Sequence, residues 1–220
     1  MNQILAYTGY LFLLLNLILF FIKFAKEGKA YKIFTLYLGF IFVVQIVAQI
    51  YNSLNINNLF LSHFYFISQF VFLSLFFETI LKEKYQKNIV KSGLILGLLV
   101  LGIQYAFDPS LFLKFNLFEI FITSFFLIIF ATFHFYNMLN EKKEFYYINV
   151  GILMYLFGST ILFLVGNLTT TLSSNVSLIT WILNSTLYIV YQLFILLEWK
   201  KSFSKRKLTP IYESKHTTRK

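Results

Sequence analysis

The chain has 220 residues, 58% of them hydrophobic and only 13% charged, with 29 Phe, no Cys and a formal net charge of +10. Soluble domains carry about a quarter charged residues, whereas the apolar residues here form runs wide enough for a bilayer's hydrocarbon core, roughly 20 helical residues. A soluble globular domain, disulfides, thiol catalysis and thiolate metal sites are excluded, which leaves an all-α polytopic membrane protein.

The N-terminus, MNQILAYTGY, has neither the basic stretch nor the small-residue cleavage site of a signal peptide, so the first run is expected to remain as a span. Seven helical spans are expected in chain order, at about 4–22, 33–52, 59–81, 89–107, 112–138, 146–167 and 177–199. The runs are continuously apolar rather than alternating, so they read as helices and not as barrel strands. Residues 1–199 thus form one seven-helix transmembrane domain, and 200–220 a basic tail expected to be disordered and cytoplasmic.

The connections fix an expected direction. Lys23, Lys26, Lys29 and Lys32 follow the first span, and Lys82, Lys84, Lys87 and Lys91 follow the third. Lys142 and Lys143 follow the fifth, and the remaining basic residues follow the seventh. Of the 19 Lys and Arg only Lys114 falls on the other side. Basic loops stay in the cytoplasm, so the N-terminus is expected outside and the C-terminus inside. Tyr7, Tyr10, Tyr51 and Trp181 near one interface, and Tyr31, Tyr85, Tyr146, Tyr147 and Trp199 near the other, agree with aromatic belts. Asp108-Pro109 is expected to stop the fourth span, whose Gly93 and Gly97 would allow close helix approach. This placement of charge points to lipid rather than nucleic acid: the basic loops and tail would attract anionic lipid headgroups. The Phe, Ile, Asn, Lys and Tyr richness suits an AT-biased genome, hence a bacterial cytoplasmic (inner) membrane.

Polar residues fall in stripes at helical spacing. The second span offers Gln45 and Gln49; the third His63, Ser74 and Glu78; the fifth Asn116, Glu119, Thr123, His134 and Asn137. The seventh offers Thr180, Asn184, Tyr188, Tyr191, Gln192 and Glu198. Such groups are costly against lipid, so these faces are expected to look into the bundle. Spans three and five run in the same direction, and in each a His and a Glu stand fifteen residues apart. That spacing allows two pairs at two depths, His63 with Glu119 and Glu78 with His134; the alternative for His63, Glu78 and His134 is that they are ordinary interfacial residues whose side chains reach water. Glu119 reads as the deepest ionisable group, and the candidate binding set is Glu119, His63, Glu78, His134, Thr123, Asn184, Tyr188, Tyr191, Gln45 and Gln49.

No metal or cofactor site is expected. There is no H-E-x-x-H, no G-x-S-x-G, no paired Asp and no Gly-rich phosphate loop. The seven-span topology resembles that of retinal-linked pumps, but no Lys stands mid-way along the seventh span. It also resembles seven-helix sensor regions that bacterial signalling proteins fuse to kinases, and small sugar carriers with two three-helix repeats around a fourth span. A non-enzymatic sensor or interaction module is therefore expected, binding a small or lipid-like ligand or a partner protein in its polar interior. The alternative is a small seven-helix transporter using Glu119 as a proton or cation site.

Overall fold

The computed structural model describes residues 2–139, 143–169 and 174–203. Lys142, most of the polar connection before the seventh span and the tail beyond Phe203, expected to be disordered, lie outside the described residues. Seven long helices form: α1 (Asn2–Ile22), α2 (Lys29–Ser53), α3 (Phe60–Ile80), α4 (Lys84–Phe107), α5 (Leu117–Asn137), α6 (Tyr146–Thr169) and α7 (Ser174–Glu198). Each is long and apolar enough to cross a membrane. A short 3-10 turn (Pro109–Leu113) precedes α5, and a π-helical turn (Trp199–Phe203) follows α7. The chain is a multi-pass, all-α membrane bundle.

The helices pack in an order the sequence does not state. α1, α2, α3, α5, α6 and α7 contact one another in that order, and α7 closes onto α1. α4 stands outside this ring, packed against α3 and α5. The connections α1–α2, α3–α4 and α5–α6 share one end of the bundle with Trp199–Phe203; this is called the basic end here.

Aromatic rings fill the centre. Phe20, Phe34, Phe70, Phe76, Phe77 and Phe130 are fully buried, and Phe20 stacks on Tyr31 at 4.8 Å. Burying such rings gives a large dispersion gain with geometric definition. The outward positions, such as Leu11, Ile95, Leu99 and Leu183, are apolar and exposed, as a lipid-facing surface requires.

α4 is seated by Gly93 and Gly97. A Cβ at Gly97 would stand 2.7 Å from Phe70, and one at Gly93 would stand 2.8 Å from Phe130. The two glycines accept rings from α3 and α5 rather than another backbone. Beyond them, Gln86 and Asn137 exchange two amide hydrogen bonds, at 2.8 and 3.1 Å, that tie the start of α4 to the end of α5. At the basic end the Glu198 carboxylate accepts the Tyr147 N–H at 2.8 Å, so α7 satisfies a first-turn donor of α6.

Three helix starts differ from expectation by four or five residues. α2 and α4 begin four to five residues earlier than the apolar runs, at Lys29 and Lys84, because long Lys side chains extend from a helix end toward water. α5 begins five residues late, at Leu117 instead of 112. The backbone chemistry of the preceding turn overrides hydropathy there. Pro109 and Ser110 build a 3-10 turn in which Asp108 accepts from the Ser110 N–H and hydroxyl at 3.1 and 2.7 Å. Those bonds, with Lys114 nearby, hold the Asp108 carboxyl below its usual range.

Candidate functional site

Away from the basic end, two polar constellations lie on opposite sides of α3. The first begins with Asn116, whose side chain accepts the Glu119 N–H at 3.3 Å and caps α5. Glu119 is therefore in the first turn of its helix and not deep along it. This corrects its expected depth, and the cause is the late start of α5. Amide dipoles at a helix N-terminus favour an acidic group at that position.

Burial there comes from neighbours. Glu119 is 0% exposed and His63 1%. His63 Nδ1 lies 3.0 Å from Glu119 Oε2. Tyr105, from α4, donates its hydroxyl to the same carboxylate oxygen and stands 2.8 Å from His63 Nδ1. Asn116 Nδ2 donates to the Tyr105 hydroxyl at 3.1 Å and to Gln104 Oε1 at 3.0 Å. Phe112, from the 3-10 turn, stacks over the His63 ring at 5.3 Å. Glu119 Oε1 and His63 Nε2 are buried without a hydrogen-bond partner among the described residues. A carboxyl and an imidazole held within hydrogen-bond distance offset part of the cost of burying an ionisable group.

The expected second pair does not form. Glu78 faces Lys91 of α4 at 3.6 Å, and His134 Nε2 lies 3.0 Å from the Glu144 carbonyl. Helical rotation explains the difference. Fifteen residues at about 100° each leave a net turn of about 60°. Two parallel helices that face each other at one level are both turned off their contact line at the next, in opposite directions. Glu78 is thereby carried toward α4 and His134 toward the α5–α6 connection. Thr123, on the expected face, donates to the Glu119 carbonyl at 2.8 Å within its own helix.

The second constellation is a cavity of about 340 Å³ between α1, α2, α3, α6 and α7. Gln45, Asn184 and Tyr188 line it, along with Tyr10, Tyr65 and Trp181. No charged side chain is found among its described lining residues. Asn184 Oδ1 is buried and has no hydrogen-bond partner among the described residues. Gln49 donates to Tyr7 at 3.4 Å and borders a smaller hollow of about 230 Å³ that shares Tyr10, Asn58 and Trp181 with the first.

Below the cavity a polar ladder descends the ring interior. The Tyr65 and Tyr155 hydroxyls meet at 3.3 Å, and Tyr155 stacks on Tyr191 at 5.3 Å. The Tyr37 hydroxyl accepts from Gln69 at 3.1 Å and from Tyr191 at 3.5 Å. Asn16 donates to the backbone and the side-chain oxygen of Gln192 at 2.8 and 2.9 Å. Tyr191, expected at a binding face, is thus a structural member of this ladder beneath the cavity.

Comparison of the chain with family models, curated proteins and solved structures finds no match.

The chemistry of the site therefore has to be read from its geometry. Sequence reasoning missed Tyr105, because a tyrosine near a helix end in an otherwise apolar span looks like a belt residue. Asn16 and Gln69 were missed because each is a lone amide, outside any stripe. His63 and Glu119 meet where the equal spacing places them, while Gln45, Asn184 and Tyr188 converge on the cavity from two different helices.

Proposed function

We propose that this chain is a non-enzymatic membrane module that binds a small, uncharged or lipid-like ligand in the aromatic cavity. We place it in a bacterial cytoplasmic membrane, with its N-terminus outside, its C-terminus in the cytoplasm and the cavity in the outer half. The lysine distribution supports this direction. The observation that carries the binding reading is the cavity itself. Its volume falls in the range of small-molecule sites, roughly 300–1,000 Å³. Aromatic walls without charge suit an apolar or neutral body, and the orphaned Asn184 Oδ1 suits a ligand that presents one hydrogen-bond donor.

Trp181 in the wall provides the assay. With Trp199→Phe removing the other Trp, its fluorescence is followed as a long-chain alcohol or alkylphenol is added to the purified full chain. The expected result is a saturable change that weakens about tenfold in Asn184→Ala, the value of one lost buried hydrogen bond. A linear, non-saturating response identical in both proteins would show partition into detergent or lipid and defeat the reading.

The unpartnered Glu119 Oε1 and His63 Nε2 favour a second reading, a carrier that takes a proton or cation at Glu119. Loss of a pH-gradient-driven flux in Glu119→Gln vesicles would support the carrier. Unchanged flux, with ligand binding intact, would support the module.

A further inference from the structure

At the basic end a second, larger cavity of about 870 Å³ opens where the helix connections meet. Four of its lining residues are lysines from separate segments: Lys29 at the start of α2, Lys82 after α3, Lys87 in α4 and Lys143 before α6. Glu27 and Glu144 also line it, so lysines outnumber carboxylates by two. Neither Lys29 nor Lys87 forms an ion pair among the described residues. Tyr31, Ile80, Leu81, Phe145 and Phe203 supply apolar wall.

Topology requires lysines in these connections, but it does not require them to converge. Lys26, in the α1–α2 connection, and Lys32, Lys84 and Lys91, in the opening turns of α2 and α4, do not line the cavity. The wall also includes the start of α2, whose Gly28 cap makes no side-chain hydrogen bond, so the first amides of that helix add positive potential. The aromatic cavity at the other end carries no charge on its described lining, so the two chambers are built for different chemistry.

We propose that the basic cavity is a binding site for a phosphate monoester, recognised by Lys29, Lys87, Lys82 and Lys143. A doubly anionic phosphoryl group matches the excess of two positive charges in the lining, and lysines bind phosphate as point charges. Apolar wall beside the lysines allows the phosphate to be the headgroup of a membrane lipid; the same lysines would hold a free phosphate compound. The site stands independently of the ligand reading made for the aromatic cavity.

The test uses the purified full chain in a nonionic detergent and calorimetric titration with three probes: short-chain phosphatidic acid, phosphatidylcholine of the same chain length, and inorganic phosphate. Phosphatidic acid is expected to bind, and to bind about tenfold or more weakly in Lys29→Gln/Lys87→Gln, since each lysine supplies a charge-assisted contact. Lys32→Gln/Lys84→Gln is expected to stay within about twofold of the wild type, as diffuse surface attraction is largely screened by salt. Lys29→Arg/Lys87→Arg should retain binding, which separates lost charge from lost fold. Competition by inorganic phosphate would assign the site to free phosphate compounds, and its absence to the lipid headgroup; both support a phosphate site. Equal binding of phosphatidylcholine, an unchanged Lys29→Gln/Lys87→Gln variant, or an equal loss in Lys32→Gln/Lys84→Gln would overturn it.

Discussion

Replacing His63 by Leu leaves Glu119 buried without its imidazole. Glu119 is 0% exposed, and its Oε2 accepts from the Tyr105 hydroxyl and lies 3.0 Å from His63 Nδ1. Removing one partner of such a pair costs about 3–5 kcal/mol, because an uncompensated charge remains in a low-dielectric site. Glu119→Gln removes the charge and keeps an acceptor for Tyr105, at a cost of about 1–2 kcal/mol. In His63→Leu/Glu119→Gln no charge is stranded, so the loss should be smaller than the sum of the single losses by about 2–3 kcal/mol. Reversible unfolding in mixed detergent micelles measures all three. For a chain of this size each kcal/mol moves the melting point by about 2–4 °C, so His63→Leu should melt roughly 10 °C lower. Single losses that add within about 0.5 kcal/mol would refute the coupling and the buried pair with it.

Other expectations are narrower. Gly97→Ala should lower stability by about 1–3 kcal/mol, since its Cβ would stand 2.7 Å from Phe70, whereas Gly102→Ala, with nothing within 4 Å, should gain up to about 1 kcal/mol from helix propensity. Opposite signs in the same unfolding assay would confirm how α4 is seated. Glu78→Gln should change stability by less than about 0.5 kcal/mol, because its partner Lys91 is 61% exposed; a loss of several kcal/mol would indicate a buried partner instead. The Asp108 carboxyl is held below its ordinary 3.8, so its contribution is present above that value and is lost as pH falls through the lower folded one. Asp108→Asn should therefore melt below the wild type at pH 7 and converge with it at strongly acidic pH.

The sequence carried the helices and the first buried pair, and the reasons are specific. A run such as Ile4–Ile22 has to cover hydrocarbon and can do so only as a helix, so its length and hydropathy are decisive. Helix ends rest on subtler chemistry. FLKFNLFEIF reads as one apolar run, yet Asn116 caps the helix in the middle of it, which moves Glu119 from the interior to the first turn. Equal fifteen-residue spacing placed His63 level with Glu119 because α3 and α5 start at matching distances from them, at Phe60 and Leu117. The same spacing failed for Glu78 and His134 because depth alone ignores rotation. The order of helices around the ring, with α4 outside it, left no mark in composition. Tyr105 could not be assigned to a site until α4 was known to lie against α3 and α5. The basic cavity was legible only as charge; the convergence of Lys29, Lys82, Lys87 and Lys143 is a property of packing.

The proposed topology has an odd number of crossings, with polar faces turned inward and separate chambers at the two ends. The chain contains no cysteine, so single thiols report cleanly. Ser185→Cys, in the aromatic cavity, and Lys87→Cys, in the basic one, can each be exposed to a small membrane-impermeant thiol reagent from either side of sealed vesicles. Ser185→Cys should react only from the external side and Lys87→Cys only from the cytoplasmic side. Reaction of both from the same side would contradict that topology.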